Sequence, residues 1–243
     1  MPWCQTRFTE VSRLPRESVT ATPGVFRPRY GRSMGRELRA IDPDFPYHVI
    51  SRGNNSGPIV FDAVDLELFI AELGRVATKY DWEVWSWCLM TNHFHVVART
   101  PEGALSLGMQ ELNGNHSRRT NHRHGRSGHL VENRFFSVAV DSDAYAVSSN
   151  IYVVRNPVKA GLCKTPADWS ACSYRATVGL EPAPRWLAVD AVLGLFGRDR
   201  GRAVRAYRDY VHSGQLPVSG TIEQLSRYEP PLRKPPPGRL RAA

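Results

Sequence analysis

The order of segments in this 243-residue chain predicts an α+β fold, a four-stranded antiparallel sheet of the ferredoxin-like, split βαβ type with a C-terminal helical extension. Three observations carry that expectation. Short β-branched and aromatic runs alternate with helix-period stretches in the order β-α-β-β-α-β-α. The clearest amphipathic helix falls between the first two of those runs. The second and third runs are joined by a two-residue polar turn, so they pair as a hairpin.

Phe45 to Ser51 reads as the first strand, stopped at the turn Gly53-Asn54-Asn55-Ser56-Gly57. Asp62 is an N-cap with Asp65 three residues on, in the manner of a capping box. Leu66, Phe69, Ile70, Leu73, Val76, Ala77 and Tyr80 follow at helical spacing. Trp82 to Met90 and His93 to Arg99 form the hairpin about Thr91-Asn92. A second helix runs from Ala104 to about His124, with Leu105, Met109 and Leu112 inward and a polar, basic later half. Phe135 to Val140 is the fourth strand, and Ser142 or Asp143 caps a helix running toward Asn156-Pro157. In this layout strands one and three are central and the helices lie on one face, leaving the other face open. Beyond it come a Trp/Tyr-containing linker, Trp169 to Tyr174, and helices near 189–196 and 202–212; the latter carries Arg202, Arg205 and Arg208 three apart.

Residues 1–40 read as a disordered basic leader, with Met34 an alternative start, and 219–243 as a disordered Pro-rich tail. The domain between spans 41–165, and the extension 166–218. With 32 Lys+Arg against 23 Asp+Glu the net charge is +9, which favours a polyanionic partner, nucleic acid before membrane. No apolar run is long enough to span a bilayer. Four scattered cysteines without a C-x-x-C pair fit a reduced, cytoplasmic compartment.

The stretch with the most chemistry is Met90-Thr91-Asn92-His93-Phe94-His95-Val96. On a strand, residues i and i+2 share a face, so His93 and His95 present two imidazoles together while Phe94 enters a core. Two such imidazoles are a ready pair of metal ligands. Spacing alone is weak, since roughly one chain in four of this composition shows a His-x-His by accident. His122 and His124 have the same spacing, but on a helix they point to nearly opposite sides. In the third helix Tyr152 and Asn156 stand one turn apart on one face. A tyrosine hydroxyl can attack phosphorus, and an amide oxygen can ligate a hard cation. Tyr145, seven residues earlier, is a rival nucleophile, and a residue before proline is biased out of the helical region, which would place Asn156 past the helix end.

Taken together, Tyr47 to Asn54, Cys88 to His95 and Tyr152 to Leu162 resemble three successive signatures of the REP-associated tyrosine transposases, a branch of the single-tyrosine HUH, IS200-like transposases. Asn113-Gly114 with the basic run after it, Gly128-His129-Leu130 and Arg134-Phe135 fall in family order, and the similarity covers about residues 40 to 210. Val131-Glu132-Asn133 departs from relatives, which more usually carry an aromatic residue or Gln there. The resemblance implies a transposase that cleaves and rejoins single-stranded, hairpin-forming DNA through a 5′-phosphotyrosine on Tyr152. It implies Mg²⁺ or Mn²⁺ held by His93, His95 and Asn156. Arg52, Asn113, Arg118, Arg119, Arg123 and Arg134 become the expected DNA contacts, each with solvated surface as the plain alternative. A non-catalytic nucleic-acid-binding module on the same sheet is the other reading, and the residues leave monomer or homodimer open. They also show no dedicated base for the tyrosine; His48 and His116 stand as candidates for that role or as structural residues.

Overall fold

The computed structural model describes residues 41–218 except positions 102 and 133; the expected leader and tail lie outside the described residues. Four strands, β1 (Tyr47–Arg52), β2 (Glu83–Leu89), β3 (His93–Arg99) and β4 (Phe136–Ala139), form one antiparallel sheet in the order β2-β3-β1-β4. The ferredoxin-like expectation is met, with β1 and β3 central. The register pairs Ile50 with His95 and Arg52 with His93 across β1 and β3.

The first helix, α1 (Ala63–Lys79), starts as its sequence dictates: the Asp62 side chain accepts from the Asp65 amide, and Asp65 accepts in return from the amide of Phe61. Phe69, Leu73, Val76 and Ala77 are buried, and the Phe69 ring meets Phe94 at 4.8 Å between centroids. That contact fixes the side of the sheet on which Phe94, and not the histidines, points. Helix α2 (Ala104–Arg123) packs beside α1 with Leu105, Met109 and Leu112 buried. Asn113 exchanges hydrogen bonds with Ser51 on the same face.

Helix α3 (Asp143–Lys159), capped by Ser142, lies on the other face, where open sheet surface was expected. Pro157 sits inside it, so the helix continues past Asn156 although proline supplies no amide to the Val153 carbonyl. Packing outweighs the local bias against a helical residue before proline: Asn156 and Pro157 are both buried. The helix stops three residues later in a Schellman motif. Leu162 N donates to Pro157 O, and Gly161 takes the left-handed φ of +69° that closes the turn.

The segment read as a Trp/Tyr linker is ordered along the outer edge of β2. Leu89 N bonds Ala171 O and Ser173 N bonds Trp87 O, with a bridge between Cys88 and Cys172. The extension then forms α4 (Tyr174–Thr177), α5 (Val189–Gly194) and α6 (Arg200–Ser213). Tyr207 of α6 is fully buried, while Arg202, Arg205 and Arg208 are exposed. Arg155 of α3 donates to the Val211 and His212 carbonyls at the C-terminal end of α6. Among the described residues no helix is long and apolar enough to cross a membrane.

Candidate active site

Two β-strands and one helix converge on a buried polar cluster. His93 and His95 project from β3 to the α3 side, their ring centroids 5.0 Å apart and planes at 80°. Both are buried, as are Asn156 and Tyr152, the latter with 6% of its surface exposed. The Asn156 amide nitrogen lies 3.0 Å from His95 Nε2. The Tyr152 ring stands edge-on to His95, 5.9 Å between centroids. The helix periodicity that put Tyr152 and Asn156 on one face therefore delivers both to the histidine on the neighbouring strand.

The hydrogen bonds around the histidines orient their lone pairs. Asn92 donates through Nδ2 to the Ser56 carbonyl at 3.2 Å, so its Oδ1 faces His93 Nδ1 at 2.9 Å. An amide oxygen only accepts; Nδ1 of His93 therefore carries the proton and Nε2 the lone pair. At His95, Nε2 meets the Asn156 amide donor, and Nδ1 meets His48 Nε2 at 3.0 Å. This donor set suits a cation: two neutral imidazoles with lone pairs at Nε2, and an amide whose oxygen would replace its nitrogen on reversal.

Tyr152 is bracketed from its own helix. Lys159, two turns on, donates from Nζ to the Tyr152 hydroxyl oxygen at 3.3 Å and lies 4.8 Å from the ring centroid. Sequence reading missed it; its only signal was the i, i+7 spacing on the tyrosine face, visible once the helix is known to run through Pro157. Tyr145, the rival, is buried where desolvation pushes its phenol up to about 12, which opposes formation of a phenolate there.

The expected DNA contacts do not gather at this cluster. Arg52, opposite His93 in the register, pairs with Glu132, one of the residues at which the sequence departs from its relatives. Arg134 is exposed nearby in sequence. Asn113, Arg118, Arg119 and Arg123 belong to α2, which packs on the opposite face of the sheet. There Arg118 bonds Asn115, Arg119 lies 3.2 Å from the buried carboxylate of Glu72, and Arg123 bridges Asp62 and Asp65.

Asp62, Asp65 and His124 place one ligand atom each within 4.8 Å of one another, an arrangement that could hold a metal ion. The Arg123 guanidinium already supplies positive charge to both carboxylates, and His124 Nε2 bonds Asp65 at 2.8 Å. His122 is exposed, so the two helix histidines do not share a ligand position. His116, a candidate base, is instead tied to the Ile59 carbonyl at 2.8 Å, beside Phe69.

Residues 43–156 match the sequence model of the family described as transposase, IS200-like. Over this span the chain is similar to the IS200-like transposases. No curated protein matches the chain. Among solved structures, that of a REP-associated tyrosine transposase bound to a REP hairpin aligns with a TM-score of 0.50 and 21% identity, covering 62% of this chain and 89% of the other. At that identity the likeness establishes a shared fold. The matched span contains the whole of the histidine hairpin and ends at Asn156, while Lys159 falls just beyond it.

Proposed function

We propose that the chain is a single-tyrosine HUH transposase that cleaves and rejoins single-stranded, hairpin-forming DNA. The observation that carries the reading is the convergence of Tyr152, Asn156, His93 and His95 in one buried cluster on a domain similar to the IS200-like transposases. The solved neighbour, bound to a REP hairpin, supports a substrate of that class. A cytoplasmic setting, expected from the cysteines, fits a DNA substrate.

In the reaction the Tyr152 hydroxyl oxygen attacks the scissile phosphorus and the bond from phosphorus to O3′ breaks. The 5′ end is left as a phosphotyrosine ester, and the phenolic proton ends on the departing 3′ oxygen. Attack by another 3′-OH reverses these changes and rejoins the strands, so no ATP is consumed. Lys159 keeps a cation at the attacking oxygen, where negative charge grows as the proton leaves. His93, His95 and Asn156 would hold a divalent ion, Mg²⁺ or Mn²⁺, which when bound polarises the phosphate as a Lewis acid. Because all three ligands are neutral, none of the ion's charge is cancelled before it reaches the phosphate. Arg52, beside His93, is the nearest of the expected DNA contacts to the cluster; Arg134, Arg118 and Asn113 would contact the strand further out.

The test is a denaturing gel of the protein incubated with labelled single-stranded hairpin DNA and Mn²⁺. Wild type gives a covalent protein–DNA band, Tyr152→Phe gives none, and His93→Ala gives none while still binding DNA. An adduct from Tyr152→Phe would remove the nucleophile assignment. Cleavage without any adduct would point to a hydrolytic nuclease.

A further inference from the structure

We propose that His48 is a positioning residue for the metal site, setting the orientation and tautomer of His95; this rests on the ligand assignment above. His48 is buried on β1, where the register pairs it with Val97, so it and His95 are diagonal neighbours on the face toward α3. Its Nε2 lies 3.0 Å from His95 Nδ1, with ring centroids 5.2 Å apart. The other nitrogen of His95 receives the Asn156 amide at 3.0 Å. A neutral imidazole has one donor and one acceptor, so a lone pair at Nε2 requires the proton at Nδ1. His48 Nε2 is then the acceptor of that proton, and it holds the tautomer in which His95 offers Nε2 to a cation.

This is the arrangement in which a ligating histidine gives its second N–H to an acceptor in the next layer, which fixes the ring and raises its basicity. His93 has the equivalent partner in Asn92 Oδ1. The two ligands are thus supported from two different elements, the hairpin turn and the central strand β1. The Tyr152 ring packs edge-on against both His48 and His95, at 6.1 and 5.9 Å, so a shift of His48 would reach the nucleophile as well.

Two amide substitutions separate an acceptor role from simple packing. In His48→Gln the side-chain oxygen reaches the position of Nε2; in His48→Asn it stops about one bond short. Mn²⁺ is titrated calorimetrically into the full chain, alongside wild type and His93→Ala, and thermal midpoints are taken with and without Mn²⁺. The expected result is a loss of Mn²⁺ affinity of about 10- to 100-fold for His48→Asn, with His48→Gln within about threefold of wild type. The Mn²⁺-induced rise in midpoint should shrink in parallel for His48→Asn alone. If both variants bind Mn²⁺ like wild type, or both are equally weakened, the positioning role is refuted. A packing role would lower both metal-free midpoints and leave Mn²⁺ affinity unchanged. Should His93→Ala bind Mn²⁺ like wild type, the ligand assignment itself fails, a different outcome from either.

Discussion

Replacing Lys159 by Met keeps the length and apolar stem of the side chain and removes its charge from the nucleophile. Nζ lies 3.3 Å from the Tyr152 oxygen. Opposite unit charges at that distance attract by about 5 kcal/mol at an effective dielectric near 20 and about 1 kcal/mol in bulk water. Lys159 is itself exposed, while Tyr152 is buried, so the relevant value lies in the lower part of that range, about 1–3 kcal/mol. The attacking oxygen carries most of its charge in the transition state and little in the ground state, so the loss falls on the rate of adduct formation. It corresponds to roughly 5- to 150-fold. The assay is single-turnover formation of the covalent band under saturating DNA and Mn²⁺, with DNA affinity measured separately. Lys159→Arg, which keeps the charge, should recover most of the rate. A Lys159→Met enzyme that forms adduct within twofold of wild type, or one whose defect lies wholly in DNA affinity, would refute the role assigned to this cation.

The other predictions concern the frame around the site. Gly108→Ala on α2 drives a Cβ to 2.3 Å from the ring of buried Trp82 and should destabilise by about 1–3 kcal/mol in urea unfolding. Gly114→Ala on the same helix meets nothing within 4 Å and should stabilise by about 0.5–1 kcal/mol. Burial lowers the His116 pKa from its ordinary 6.5, so the folded state resists its protonation. Its contribution is complete above pH 6.5 and is lost as pH falls below that value; His116→Gln should flatten the decline of the urea midpoint on the acid side. Arg123 holds Asp62 down to about 2, a contribution present above the ordinary carboxylate value near 3.8 and lost as pH falls toward 2. Arg123→Met should therefore lower stability and move acid unfolding to higher pH, leaving the salt dependence of DNA binding unchanged. Arg134→Met should reduce the slope of log affinity against log salt by about one.

What could be read in advance followed from local period and capping. Alternation in β3 put His93 and His95 on one face and Phe94 on the other, and the Asp62–Asp65 box marked the start of α1 within a residue. The sheet order followed from the sequence of elements. The unread parts depend on partners distant in the chain. The ion pairs of Arg123 with Asp65 and of Arg119 with Glu72 could not be read, because those acids lie more than forty residues upstream and only the packing of α1 on α2 brings them together. The acceptor role of His48 needs the register of β1 against β3, which no spacing reveals. The helix runs on through Asn156 because the bias before proline is local, whereas the burial that overrides it is tertiary. The segment 171–173 lacks strand periodicity because it is a rider of only three residues on β2, and all three are buried, so no alternation of exposed and buried positions marks it.

That rider also bears on how copies of the chain can meet. A sheet of four strands has two borders, and an uncovered border is a template on which a neighbour's strand can lay itself. The β2 border is occupied for part of its length by the chain's own residues 171–173. The β4 border is four residues long, too short to offer more than a couple of cross-chain hydrogen bonds. Continuous sheet extension from one molecule into the next is therefore disfavoured at both borders of the described sheet.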